Sequence, residues 1–494
     1  VEGLDQILDG GLPTGHLYLV DGEPGSGKTT IALQFLMTGR DVGEQTLYVT
    51  LSETAAELRG VAQSHGWSLD GIEVFELAAD EAPEEPYTLF HPAEVELQRT
   101  LGSLFAMVEK LNPTRVVLDS LSELRLLARD TLRFRRQVLA LKHFFARREC
   151  TVILIDDKSS PEGDLQLQSI AHGVMLLEHV AQEYGAERRR LEIRKLRGVR
   201  YRGGYHDFRI RTGGVSVYPR LLRNEPGEDL PAGLLESGVA ELDNLLGGGL
   251  TRGTSTLLTG AAGTGKSVIC TQFARAAVAR GERVMIYLFD ERVTTFHMRA
   301  RALGFDLEKE IASGHLTLRQ IEPTDLSPGE FAADVVCAVE KNQASLVILD
   351  SINGYMQSMP EERLLGVQVH ELMSYLANRG VSSILTLVQR GVFGGPVDES
   401  ADVSYLADTV ILLRYFEYAG SVRQAMSVVK KRSGAHERAI REFQVTQNGV
   451  TVGEPLSEFQ GVLLGVPAYS GNKGPLMADA PGVQTPMPIP LPPA

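Results

Sequence analysis

Two stretches of the chain read Gly22-Glu23-Pro24-Gly25-Ser26-Gly27-Lys28-Thr29 and Gly260-Ala261-Ala262-Gly263-Thr264-Gly265-Lys266-Ser267, each after an apolar run. This pattern demands a strand, a tight glycine turn and a helix. The glycines let backbone N–H groups point at phosphate oxygens, the lysine ammonium reaches the outer phosphates, and the hydroxyl residue can hold Mg2+. The candidate nucleotide-binding residues are Gly25, Gly27, Lys28, Thr29 and Thr30 in the first half, and Gly263, Gly265, Lys266 and Ser267 in the second.

The duplication extends beyond these loops. Gly10-Gly11-Leu12-Pro13-Thr14-Gly15 precedes the first and Gly248-Gly249-Leu250-Thr251-Arg252-Gly253 the second, at an offset of 238 residues (253 − 15) that the loop lysines share (266 − 28). Each half continues with an amphipathic helix and an apolar strand, Gln45–Thr50 and Val284–Phe289. A further strand in each half ends in one carboxylate, Asp119 or Asp350, and another buried strand follows, Thr151–Ile155 or Ser383–Val388. Strands alternating with helices of this length predict an α/β fold with a largely parallel central sheet covered by helices on both faces. The 494 residues accommodate two such domains, expected at 1–223 and 233–473, with a linker at 224–232 and a proline-rich disordered tail at 474–494.

Ligand groups in such sheets gather at the carboxyl ends of the strands. Asp119 and Asp350 each follow four apolar residues, a position suited to orienting Mg2+ opposite Thr29 and Ser267, or alternatively to capping a helix. Glu53 and Glu291 share the 238-residue offset (291 − 53) and stand just beyond the strand next to the loop strand. There a carboxylate can take a proton from water attacking a terminal phosphate, or can stabilise a helix N-terminus. Asp290 adds a second candidate base in the later half, where the first half has the neutral Ser52.

Lys195-Leu196-Arg197 and Lys430-Lys431-Arg432 recur near the end of each half. On an extended strand the outer cations of each triplet face one way and can clamp a triphosphate, most readily one bound by a neighbouring copy. A solvated basic edge strand is the alternative reading. The basic cluster from Arg188 to Arg202 is otherwise expected to supply surface and interface ion pairs, and Trp67 to be a packing residue.

Composition narrows the class. Apolar residues make up 43% and charged residues 23% of the chain, as in a soluble globular protein, and the net charge of −14 disfavours broad binding to nucleic acid or anionic membranes. No apolar run reaches the ~18 residues of a membrane span. Cys150, Cys270 and Cys337 are too dispersed for a compact metal motif and suit reduced thiols in a cytoplasmic protein.

Taken together, the Gly-Gly-Leu-x-x-Gly lead-ins, paired phosphate loops, Glu53 and Glu291 segments, Asp-Ser strand ends, Lys-x-Arg forks and Ala439-Ile440-Arg441-Glu442-Phe443 resemble the KaiC family of RecA-type ATPases over roughly residues 1–460. The resemblance implies two RecA-like domains and a double-ring hexamer that holds ATP and Mg2+ at subunit interfaces. There Lys195 and Arg197, and Lys430 and Arg432, complete a neighbour's sites. Clock members of the family also phosphorylate an adjacent Ser-Thr pair. The matching stretch, Asp402-Val403-Ser404-Tyr405-Leu406-Ala407-Asp408-Thr409, keeps Ser404 as an expected phosphoacceptor and has Tyr405 in place of threonine. Glu399 is a permanent charge nearby. The expected function is an oligomeric, regulatory Mg-dependent ATPase with a regulatory protein partner and possible autokinase activity on Ser404. A RecA-like DNA-dependent ATPase and a nucleotide-dependent scaffold are the alternatives.

Overall fold

Alternating apolar residues bury both faces of each central sheet. In the strand Thr151–Asp157, Ile153 and Ile155 pack with Tyr18, Val20, Tyr48 and Val117 on one face. Val152 and Leu154 pack with Leu17, Leu19, Leu47, Val49 and Leu118 on the other. A strand that must hide every side chain needs a helix layer on either side, which is what the parallel arrangement provides.

The structure is a computed structural model that describes residues 1–77, 92–128, 130–157, 164–181, 185–221, 233–322, 324–357, 365–389, 404–447, 449–464 and 468–469. The expected linker, the proline-rich tail, the acidic Asp80–Tyr87 stretch, Glu399, Asp402 and Val403 lie outside them. The chain divides into two compact units, Val1–Arg220 with Ser327–Ala333, and Leu221–Leu326 with Asp334–Ala494.

The sheet of the first unit contains β1 (Leu17–Gly22), β2 (Thr46–Thr50), β3 (Glu73–Glu76), β4 (Arg115–Asp119), β5 (Thr151–Asp157), β6 (Gly173–Val180), β7 (Arg188–Leu196), β8 (Tyr205–Arg211) and β9 (Gly214–Tyr218). Their spatial order is β3-β2-β4-β5-β1-β6-β7-β8-β9. The run from β3 to β6 is parallel, and β6 to β9 form an antiparallel meander. Helix α1 (Lys28–Asp41) follows β1, and α2 (Ala55–Ser64) follows β2. Thr54 caps α2 reciprocally with Glu57, so the segment carrying Glu53 ends in a fixed helix start.

The second unit repeats this plan. Its strands are β10 (Ser255–Gly260), β11 (Val284–Leu288), β12 (Leu316–Gln320), β13 (Leu346–Asp350), β14 (Ser382–Val388), β15 (Thr409–Tyr418), β16 (Ser421–Lys431), β17 (Ile440–Thr446) and β18 (Gly449–Pro455). The order β12-β11-β13-β14-β10-β15-β16-β17-β18 matches the first sheet strand for strand. Helices α3 (Lys266–Ala279) and α4 (Val293–Ala302) occupy the places of α1 and α2. The expected fold class, two tandem RecA-like domains with mainly parallel sheets between helices, is the observed one.

Candidate functional site: two phosphate cradles

Each loop strand ends in a glycine pressed against its neighbour. A Cβ on Gly22 would lie 2.5 Å from the Leu177 carbonyl oxygen, and one on Gly260 would lie 2.4 Å from that of Leu413. The loops then turn through left-handed glycines, Gly25 and Gly27 at φ 78° and 101°, Gly263 and Gly265 at 78° and 96°. Gly27 and Gly265 are the residues before α1 and α3, and no side chain caps either helix. The first-turn N–H groups of both helices thus face the loop, the arrangement that receives phosphate oxygens. Thr30 is buried in α1.

Both loop lysines are buried. Lys28 Nζ donates to the carbonyls of Gly22 at 2.8 Å and Glu23 at 2.9 Å, and Lys266 Nζ donates to those of Gly260 at 2.9 Å and Ala261 at 2.7 Å. Burial lowers the Lys266 pKa to about 8, although Asp350 opposes the shift. An ammonium held in this way gains from an incoming anion, which fits a polyphosphate.

Parallel pairing brings the strand-end carboxylates beside these loops. Asp119 is buried and accepts hydrogen bonds from Tyr48 Oη and, at 3.4 Å, from Thr29 Oγ1. Burial raises its carboxyl above the usual range while the Tyr48 bond acts in the other direction. Asp350 accepts from Thr386 Oγ1 at 2.6 Å. Ile286 takes the place of Tyr48 at the repeat offset (286 − 48 = 238), so the two aspartates are oriented from different strands. Among the described residues, no three His, Cys, Asp or Glu side chains converge as a metal cage. A hydroxyl and a carboxylate, Thr29 with Asp119 or Ser267 with Asp350, suit Mg2+, which takes one or two protein oxygens and completes its shell with substrate phosphate and water.

The candidate bases have different surroundings. Glu53 Oε2 is buried without a hydrogen-bond partner, and burial, then the charges of Asp119 and Glu57, raise its pKa. Glu291 instead accepts a bidentate ion pair from Arg299, Nη2 at 2.7 Å and Nε at 3.1 Å. Arg299 also donates to Thr271 Oγ1 at 3.4 Å and stacks on Phe296. Asp290 accepts a hydrogen bond from the hydroxyl of Ser351, the residue after Asp350.

The forks lie at the opposite end of each sheet from their own loops. Arg197 N donates to the His172 carbonyl and His172 N to that of Leu17, the first residue of β1, whereas the loop follows the last residue, Gly22. Correspondingly, Arg432 N donates to Asp408 O and Asp408 N to Ser255 O, the first residue of β10. Lys195 Nζ rests on the carbonyls of Gln168, Ser169 and Ala171, and Arg197 on that of Ser169. Lys430 Nζ rests on Ala407 O, and Arg432 pairs with Asp408. Ser404 begins the short 3-10 helix Ser404–Leu406, whose last carbonyl accepts from Ser255 Oγ, so it too is remote from Lys266 of its own chain. Tyr405 beside it is 52% exposed.

Three residues with a bearing on these sites escaped the sequence reading. Tyr48 acts through a partner 71 residues away, and Arg299, eight residues from Glu291, could have been noticed against Val61 at the repeat offset (299 − 61 = 238). Asp157 ends β5, which extends past the expected Ile155 to the acidic pair Asp156-Asp157. A carboxylate directly after an apolar run, the signal that drew attention to Asp119, was present there.

Comparison with known proteins agrees with the geometry. A family model described as ATPase: KaiC matches residues 1–221 and 235–457. The circadian clock protein KaiC3 of Synechocystis sp. is 28% identical over 491 residues, covering 96% of this chain and 94% of the relative. The circadian clock oscillator protein KaiC of Thermostichus vulcanus is 26% identical over 494 residues, covering 94% and 90%. That of Synechococcus elongatus is 26% identical over 497 residues, covering 94% and 91%.

Proposed function

From the premise that the chain belongs to the KaiC family of RecA-type ATPases, we propose that it hydrolyses ATP at both phosphate loops and acts as a regulatory assembly of identical subunits. One observation carries this reading. In each half, the residues that receive phosphate sit at one end of the sheet and a Lys-x-Arg fork sits at the other. Four parallel steps from Tyr18 to Gly22 span about 13 Å, a separation that supports the fork's acting on a second copy's nucleotide rather than its own. Copies joined in that sense make the double-ring hexamer of the family, with Lys195, Arg197, Lys430 and Arg432 as trans donors.

Within a site, Lys28 or Lys266 and the helix N-terminus hold the polyphosphate and stabilise charge moving onto its oxygens. Thr29 and Asp119, or Ser267 and Asp350, would hold Mg2+, which would supply charge to neutralise the polyphosphate. Glu53 accepts the proton of the attacking water in the first site: its carboxylate has a buried oxygen without a partner, and burial raises its pKa. In the second, Asp290 takes this role, because Glu291 is engaged by Arg299. Transfer to Ser404 is a further activity of the second site, and the position of Ser404 supports a reaction between copies. A regulatory protein partner then reads the nucleotide or phosphorylation state.

The test is purification with ATP and Mg2+, measuring assembly mass, phosphate release and label on Ser404 from terminally labelled ATP. Expected are an ATP-dependent hexamer and phosphate release that the paired K28A/K266A substitution abolishes. A monomer with no affinity for magnesium nucleotide overturns the reading. Phosphate release without label removes the autokinase alone, and DNA-stimulated hydrolysis with salt-sensitive binding to single strands favours the recombination-type alternative.

A further inference from the structure

We propose that Asp157 is a resident competitor for the phosphate-binding lysine of the first site, weakening triphosphate binding there in a way the second site lacks. The proposal rests on the reading of Lys28 and Lys266 as phosphate ligands. An ammonium has three donors. In both halves two of them go to equivalent loop carbonyls, Gly22 and Glu23 or Gly260 and Ala261. The third differs. Asp157 Oδ1 stands 2.8 Å from Lys28 Nζ, with side-chain exposures of 37% and 8%, so the pair is shielded on the lysine side and open to solvent on the carboxylate side.

Strand register explains the contact. Asp157 lies beside Gly22 across the β1–β5 pair, and the residue beside Gly260 across β10–β14 is Val388. The valine side chain cannot accept a hydrogen bond, and among the described residues Lys266 has no carboxylate partner within ion-pair distance. The flanking support differs accordingly. Ser122 Oγ donates to Asp157 Oδ2 at 3.1 Å and accepts from Asp157 N at 3.3 Å, fixing the acid's orientation. Asn353, as far beyond Asp350 as Ser122 is beyond Asp119, instead binds the backbone of Val388, donating through its side-chain nitrogen and accepting through its side-chain oxygen. The first half thus presents a carboxylate, and the second only main chain, at the end of the same strand.

A phosphate oxygen arriving at Lys28 must displace Asp157 or share the ammonium with it. Asp119 is close enough for Asp157 to repel it, so the incoming polyanion also meets two carboxylates around a single cation. Removing the Asp157 charge leaves the third donor of Lys28 open for phosphate, as at Lys266.

The experiment titrates the 494-residue chain with ATP and Mg2+ in a K266A background, so that only the first site binds. Asp157→Val is expected to tighten ATP binding by about three- to tenfold, the scale of a partly exposed ion pair with one shielded partner. Asp157→Asn, which keeps the shape, is expected to do the same to a lesser degree and serves if the valine variant fails to fold. The reciprocal Val388→Asp in a K28A background is expected to weaken the second site. Retained ATP binding with affinity unchanged or weakened in D157V and D157N overturns the proposal alone. Absence of ATP binding by both the K266A chain and its Asp157 variants, with the fold intact, overturns the phosphate-loop reading and the proposal with it.

Discussion

The two halves share strand order, loop geometry and lysine anchoring, yet they distribute charge differently around the same cradle. A strand-end aspartate acts by its charge on the lysine in both, Asp119 on Lys28 and Asp350 on Lys266. The first adds Asp157 in direct contact with Lys28 and has a partnerless Glu53 oxygen, whereas the second gives Lys266 two carbonyls and engages Glu291 with Arg299. Val61 occupies the position of Arg299, on a helix whose buried Leu58 corresponds to Phe296, so a single helical position decides whether the glutamate is neutralised. Repeated backbone therefore preserves the shape of the cradle, while individual side chains set the charge beside it.

The largest expected break in this comparison comes from the bases. Measured as phosphate release with the other site silenced by its lysine-to-alanine substitution, Glu53→Gln should lower first-site turnover by about 100-fold or more, the scale of a lost general base. Glu291→Gln should lower second-site turnover by less than about tenfold, and Asp290→Asn by about 100-fold. Equal losses in E53Q and E291Q would erase the distinction.

A smaller effect concerns proton activity. Glu53 works only when ionised, and its raised pKa means that it takes up its proton at a higher pH as acid is added. First-site turnover should accordingly fall on acidification before an exposed glutamate, with pKa about 4.3, would lose its charge. Asp119 and Glu57 are the charges that act on Glu53, so Glu57→Gln should shift this acid limb slightly downward in pH. A pH–rate profile of the K266A chain, with and without E57Q, measures both; an acid limb at the ordinary carboxylate value contradicts the assignment.

The smallest effect sharpens the role of Arg299. Replacing it with valine, the residue of the first half, frees the Glu291 carboxylate. In a chain already carrying D290N, R299V should restore turnover by about three- to tenfold, the scale on which a released ion pair changes a carboxylate's availability. No recovery in a folded double variant would mean that Glu291 faces away from the water even when released.

Much of this plan was legible in the sequence because it depends on local signals. Glycines at fixed spacing, apolar runs ending in Asp119 or Asp350, and a constant 238-residue offset specify the loops and parallel strands without knowledge of their neighbours. What remained hidden depends on register between strands. The placement of Asp157 beside Gly22, Tyr48 against Asp119, and the forks at the far end of the sheet becomes apparent only when strands are set side by side. Glu53 and Glu291 occupy equivalent positions in the letters, and their different surroundings come from residue 61 or 299, two helical turns away.

Under the proposed sharing of sites between copies, the separation of fork and cradle also determines who suffers from a defect. A subunit without Arg197 would keep its own receiving end and impair only the subunit that borrows from it, whereas one without Lys28 would be the sole casualty of its own change. Such an interface is heterologous, so its two faces cannot pair across a twofold axis. In randomly mixed assemblies of two individually inactive variants, one of each kind, about one contact in four would join a sound cradle to a sound fork. Activity would thus reappear in the mixture although no single chain in it is whole.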